Sequence, residues 1–190
     1  MKRPGAEASA IWAGELFATP CVSGIIVVEM RIYVESTIPS YAVARPARDL
    51  LQAARQQLTR DWWEMRRERH ELFTSQVVLD EIASGEPKMA EKRMELMAKI
   101  EFLDLTDEAN ALTKTIMGSG VLSLNAGRDA AHIALATVHE MDILLTWNCW
   151  HIANAFIQAK LRKLAEASRF VLPVICTPEE LLEDNYEQDN

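Results

Sequence analysis

Three acidic side chains stand where the chain can bring them to one point. Glu35 closes a β-rich stretch, residues 31–35 (RIYVE). Glu81 sits among Val77, Val78 and Ile82, where an acid is costly to bury unless something binds it. Asp129 opens an amphipathic helix whose apolar positions Ala130, Ile133, Ala134, Thr137, Val138 and Met141 keep helical spacing. The helix leads into Ile143, Leu144, Leu145 and Thr146, a short run without polar alternation, as expected of a parallel strand covered on both faces. That strand stops at Trp147 and Asn148. Ligands of open parallel sheets bind beyond the carboxyl ends of the strands, so Asn148 falls at the edge of a site and Asp129 can reach the same place. Taken singly, Asp129 would also suit a helix N-terminus. Carboxylates gathered in this way repel one another without a cation, and an all-oxygen donor set of high charge selects Mg²⁺ or Mn²⁺ over zinc. Such an ion acidifies a bound water and stabilises charge on a phosphoryl oxygen. The chemistry indicated is metal-assisted phosphodiester hydrolysis.

The elements that must position these groups alternate between strand and helix. After the first strand and Ser36-Thr37-Ile38-Pro39, Pro46 breaks the chain and the pattern predicts a long helix to about residue 69. Its apolar stripe is Leu50, Leu51, Ala54, Leu58, Trp62 and Met65. Residues 72–74 read as a strand, Ser75 as the N-cap of a helix over 76–83, 88–100 as a helix and 102–105 as a strand. Thr106 caps a helix that ends at Gly118-Ser119-Gly120. Residues 152–167 are predicted helical, 170–175 form a last strand whose Pro173 suits a sheet edge, and Thr177-Pro178-Glu179-Glu180 is a capping box. The fold class expected is α/β, with a mainly parallel central sheet flanked by helices.

Composition sets the frame. The 190 residues suffice for one domain with a sizeable core. Three scattered cysteines, Cys21, Cys149 and Cys176, argue against a disulfide framework or zinc ribbon and suit a reducing cytoplasm. The net charge of −8 is uneven: residues 178–190 hold six acids and no Lys or Arg, while residues 45–69 hold seven arginines. A local phosphate-binding surface is compatible with that distribution. Residues 1–29 are expected to be an N-terminal extension, loosely held or lying ahead of a natural start at Met30. Gly14-Glu15 interrupts their apolar stretch, against a signal peptide, and no run is long enough to span a membrane. Residues 30–184 are expected to form the domain and 185–190 an acidic tail.

Four stretches carry a family resemblance. YVESTIPSY is similar to the first motif of PIN-domain nucleases, a strand ending in an acid followed by Ser or Thr. TSQVVLDEI resembles the second motif, with Glu81 as its acid, and RDAAHIALA the third, with Asp129. LLTWN resembles the fourth, where many members have Thr-x-Asp. The resemblance spans about residues 30–183, and the branch it most resembles is the VapC-like toxins of prokaryotic toxin–antitoxin pairs. It implies a PIN-like three-layer fold and an Mg²⁺- or Mn²⁺-dependent endoribonuclease, often dimeric and inhibited by a small antitoxin. It implies Glu35, Glu81 and Asp129 as metal ligands that activate water, Asn148 as support of the ligand shell, Ser36 and Thr37 as groups orienting water or a ligand, and Thr146 and His151 as supporting residues. Glu35 departs from the usual Asp by one methylene, and Asn148 replaces the usual fourth acid. Those departures motivate the alternative of a catalytically weak PIN-like module for RNA binding or protein interaction.

Other residues enter with narrower expectations. Asp142 precedes its strand and belongs at the opposite sheet end. His132 reads as a packed helix residue, His151 as a neighbour of the site able to touch substrate phosphate, and Cys149 as lacking a base. The histidines lack His-Glu-x-x-His spacing, and no glycine-rich phosphate loop is present. Trp62 and Trp63 diverge by about 100° on a helix, which predicts that one of them is exposed at a dimer interface. Clustered carboxylates are expected to have raised pKa values on folding.

Overall fold

A computed structural model describes residues 29–182. The expected extension over residues 1–29 lies outside the described residues apart from Glu29, and the tail at 185–190 lies wholly outside them. Five parallel strands form one sheet in the order β3-β2-β1-β4-β5: β1 Arg31–Val34, β2 Glu71–Ser75, β3 Glu101–Leu103, β4 Ile143–Leu145 and β5 Val174–Cys176. Among the described residues seven α-helices flank the sheet: α1 Thr37–Val43, α2 Leu50–Met65, α3 Gln76–Ile82, α4 Pro87–Met97, α5 Asp107–Gly118, α6 Gly127–Val138 and α7 Ala155–Ala167. The result is an α/β, PIN-like three-layer fold.

The central strands explain the core. Ile32, Tyr33 and Val34 of β1 and Leu144 and Leu145 of β4 are fully buried, because helices cover both faces of the sheet. From the other layer α6 contributes Ala130, Ile133, Ala134 and Leu135, all fully buried. β1 lies between β2 and β4, with Tyr33 in register with Phe73 and Leu144. The chain order therefore reverses beside β1, the place where an open α/β sheet opens a crevice at its carboxyl edge. Glu35 is the residue that leaves β1 there. At the other end Arg31 N–H donates to Asp142 Oδ2 at 2.8 Å, so Asp142 lies away from that edge, as expected.

Several elements differ from the sequence reading for identifiable reasons. Helix α1 occupies residues to which the sequence reading assigns no element. Pro39 sits in the first turn, where the missing N–H costs no intrahelical hydrogen bond. Helix α2 ends at Met65, and a 3₁₀ turn, Arg67–Arg69, follows. Its expected stripe is core only in part: Trp62 is buried and Leu58 packs against the core, but Leu50 is 86%, Leu51 63% and Met65 56% exposed. Both tryptophans are buried, correcting the expectation that one projects outward. They diverge, yet Trp63 packs edge-on against Trp62 with centroids 6.1 Å apart and lies under the Arg67 guanidinium, 5.6 Å from its ring centre. The turn after the helix thus covers the second indole. The last strand starts only after Pro173, which has no amide hydrogen to give a ladder, and β5 is an edge strand. The capping box at Thr177 is present, but it opens a 3₁₀ turn, Pro178–Leu181.

Candidate metal centre

Glu35 is 3% exposed and held by four donors. Its Oε2 accepts from the Thr37 backbone N–H at 3.0 Å, from the Thr37 hydroxyl, and from the Thr146 hydroxyl at 2.8 Å. Its Oε1 accepts from Ser36 Oγ at 2.8 Å. The same hydroxyls knit the strand ends together: Thr37 Oγ1 accepts from Trp147 N–H at 2.8 Å and Thr146 Oγ1 from Asn148 N–H at 2.9 Å. Ser36 and Thr37, expected to orient water or a ligand, and the supporting Thr146 donate here to Glu35, and the Ser36 hydroxyl also lies against Glu81. The turn after β4 is pinned from outside, because Trp147 Nε1 donates to Thr59 Oγ1 of α2 at 2.7 Å.

Glu81 comes in from α3. Its Oε2 is 3.0 Å from His132 Nε2, and Arg128 stands 3.8 Å from its Oε1. Burial pushes its pKa up, but hydrogen bonds from His132 and Ser36, with the charges of His132 and Arg128, outweigh that and leave it below the ordinary glutamate value. This corrects the expectation that every clustered carboxylate has a raised pKa: hydrogen-bond donors and nearby positive charge outweigh burial at Glu81. Helix α3 begins without a side-chain cap, because Ser75 Oγ is engaged by Tyr33 Oη at 2.7 Å instead.

Asp129 sits in the first turn of α6 and faces a different set of partners. Its Oδ1 accepts from Asn148 Nδ2 at 2.8 Å and its Oδ2 lies 2.7 Å from His151 Nδ1. Asn148 Oδ1 accepts from the His151 backbone N–H at 3.1 Å, which fixes the amide orientation. Asn148 Oδ1 keeps a second lone pair beside that bond, and its amide nitrogen secures Asp129. Burial raises the Asp129 pKa above the ordinary value and the charge of Glu35 adds to that, against the lowering pull of His151 and His132. Glu35, Glu81 and Asp129 do meet at one sheet edge, in two groups. Ligating atoms of Glu35, Glu81 and His132 all lie within 4.8 Å of one another. Asp129 falls outside that tight group and pairs with Asn148 and His151.

Two ligands of one ion stand at most about 4–5 Å apart at ligand distances of 2.0–2.6 Å. The spacing of Glu35, Glu81 and His132 fits a single divalent ion. His132 is the residue that sequence reasoning underrated. It lies three residues after Asp129, on the same helix face, which is the signal that it could reach the site. Cys149 is exposed, with Arg55 Nη2 4.0 Å from its sulfur.

Comparison with solved structures finds a likeness of fold. The chain is similar to VapBC2 from Rickettsia felis bound to a DNA fragment from their promoter, with a TM-score of 0.51 and 13% identity, covering 78% of this chain and 98% of that chain. No family model and no curated protein sequence matches. The shared architecture agrees with the PIN-like, VapC-type fold, and the acidic group with histidine lies at the carboxyl edge of its sheet. Among the described residues no helix is long and apolar enough to cross a membrane.

Proposed function

We propose that residues 30–184 form a PIN-like domain that acts as a cytoplasmic, Mg²⁺- or Mn²⁺-dependent endoribonuclease, the toxin of a toxin–antitoxin pair. The observation that carries this reading is the convergence of Glu35, Glu81 and His132 within bonding reach of one ion, at the carboxyl edge of a parallel sheet. Glu35 and Glu81 would hold the cation, with Asp129 as the adjoining third carboxylate. When bound, the ion supplies an acidified water and charge stabilisation at the scissile phosphate.

The carboxylates are prepared for different tasks. Glu81 has a lowered pKa and stays anionic, as a ligand must. Asp129 would add its charge to the ion from the adjoining position, and its burial favours the protonated form more than in a free aspartate. Asn148 and His151 orient Asp129. Four donors keep the Glu35 carboxylate from turning away. Arg128, 67% exposed beside Glu81, can meet a substrate phosphate without leaving the site. A small antitoxin protein and a homodimer are the assemblies this reading implies. Exposed Leu50 and Leu51 on α2 offer apolar surface for a second copy.

One observation favours a second reading, an RNA-binding or protein-interaction module with weak activity. Asn148 stands where a fourth acid would be, brings no negative charge, and donates its amide nitrogen to Asp129. Cleavage of RNA by the pure protein with Mn²⁺, with EDTA, and with Asp129→Asn separates the two. Metal-dependent cleavage that is lost in the variant supports the nuclease. RNA retention without cleavage under all three conditions supports the module.

A further inference from the structure

His132 belongs to a buried chain of hydrogen bonds that neither carboxylate needs for packing. Its Nε2 meets Glu81, its Nδ1 lies 2.9 Å from Tyr33 Oη, and Tyr33 Oη lies 2.7 Å from Ser75 Oγ. His132, Tyr33 and Ser75 are at most 1% exposed. Tyr33 and His132 are also in ring contact, with centroids 5.8 Å apart. A buried histidine needs a partner for each ring nitrogen; here the partner of Nε2 is a carboxylate of the group that could hold a cation.

The chain has two hydrogen-bonded states. In one, His132 Nε2–H donates to the Glu81 carboxylate, Nδ1 accepts from the Tyr33 hydroxyl, and Tyr33 oxygen accepts from Ser75. In the other, the same neutral imidazole carries its single proton at Nδ1 in place of Nε2, the Nε2 proton passing to water and the Nδ1 proton coming from water, so the proton count is unchanged. Nδ1–H then donates to Tyr33 oxygen, and the Tyr33 hydroxyl turns toward Ser75 oxygen. Each hydroxyl keeps its proton and only rotates, because a hydroxyl both donates and accepts. The second state leaves the Nε2 lone pair facing Glu35 and Glu81. A cation between those carboxylates repels Nε2–H and attracts that lone pair. A metal-bound histidine characteristically gives its other ring N–H to a fixed acceptor, and Tyr33 oxygen supplies one here.

We propose that His132 is a nitrogen ligand of the bound cation, with Tyr33 and Ser75 as positioning residues that set its tautomer. The centre then has two carboxylates and one imidazole and favours Mn²⁺ over Mg²⁺, because imidazole suits transition metals and Mg²⁺ prefers oxygen. This rests on the metal-dependent reading above.

The test is pulsed electron paramagnetic resonance of the Mn²⁺-loaded full chain, with calorimetric titration of Mn²⁺ and of Mg²⁺. Wild-type protein labelled with ¹⁵N-histidine is expected to show a directly coordinated nitrogen, retained in His151→Gln and lost in His132→Gln. His132→Gln should bind Mn²⁺ at least about tenfold more weakly and lose much less affinity for Mg²⁺. Tyr33→Phe keeps the ligand but removes its orienting acceptor, and should cost about 10–100-fold in Mn²⁺ affinity. Bound Mn²⁺ without nitrogen coupling overturns the assignment and leaves the nuclease reading standing. So does coupling that follows His151 in place of His132. Absence of Mn²⁺ binding by the wild-type chain overturns both. If His132→Gln fails to fold, a wild-type spectrum without nitrogen coupling still overturns the assignment, and a coupling retained in His151→Gln still supports it.

Discussion

Thr146→Val tests how the strand ends hold the site. Thr146 is fully buried; its hydroxyl donates to Glu35 Oε2 at 2.8 Å and accepts from Asn148 N–H at 2.9 Å. Valine keeps nearly the same shape and loses both bonds. A hydrogen bond to a charged group contributes about 1.5–3 kcal/mol, and a buried donor left unpaired costs about 1–3 kcal/mol. Asn148 is only half-buried, so water relieves part of the second cost. The expected loss is about 2–4 kcal/mol, or about 5–15 °C in melting temperature for a domain of this size. Thr146→Ser keeps the hydroxyl and removes one methyl group, and should cost about 1 kcal/mol. The assay is urea unfolding in EDTA at pH 7, read as a change in midpoint at constant slope. A valine variant within about 0.5 kcal/mol of wild type would refute the reasoning, since that is the ordinary scatter of an uninvolved position. A serine variant as damaged as the valine one would refute it equally.

Other expectations follow from the same geometry. Glu81→Gln should lower the melting temperature of the metal-free protein at neutral pH. Because the folded-state pKa of Glu81 lies below its ordinary value of 4.5, its stabilisation is present above that pH and fades as pH falls through the folded value, so melting curves should converge in acid. Asp129→Asn should hold or raise the metal-free melting temperature at pH 7. Its raised pKa favours folding below the ordinary value of 3.8 and loses that contribution as pH rises through the folded value, so the variant's advantage should vanish in acid. The same variant should show a smaller Mn²⁺-induced gain in melting temperature, because binding stabilises by mass action. Trp62→Ala should cost about 3–5 kcal/mol in urea unfolding, since the indole is wholly buried. Sedimentation is expected to give a dimer that Leu50→Glu with Leu51→Glu converts to monomer; a monomeric wild type would remove the assigned role of that surface.

Much of the fold was legible because it rests on local patterns. The apolar run before Trp147 and the strand ending in Glu35 mark parallel strands whose ends meet, and they do. The 3.6-residue spacing of α6 correctly placed Ala130, Ile133 and Ala134 in the core. What was not legible depended on tertiary partners. The α2 stripe read from hydrophobicity alone points Leu50 and Leu51 at solvent, while Gln56 and Thr59 are buried because each finds a partner: Gln56 at the Arg45 carbonyl and Ala47 N–H, Thr59 at the Arg55 carbonyl and the Trp147 indole. At the site, the residue types indicated which acids converge but not which side chains orient them. Tyr33 lies two residues before Glu35, so strand alternation puts both on one face. His132 lies three residues after Asp129. Those spacings were available, but only the fold shows that Tyr33, Ser75 and His132 join in one chain leading to Glu81.

The central claim is that the Glu35–Glu81 edge holds a cation that cleaves RNA, and the rate of cleavage of a labelled single-stranded RNA as Mn²⁺ is titrated tests it most directly. The account predicts a saturable rise with Mn²⁺, no cleavage in EDTA, and a Glu81→Gln curve displaced to at least about tenfold higher Mn²⁺, the loss expected for removing one charged ligand worth about 1.4 kcal/mol or more. Cleavage that persists in EDTA, or a Glu81→Gln curve that overlays the wild type, would contradict it.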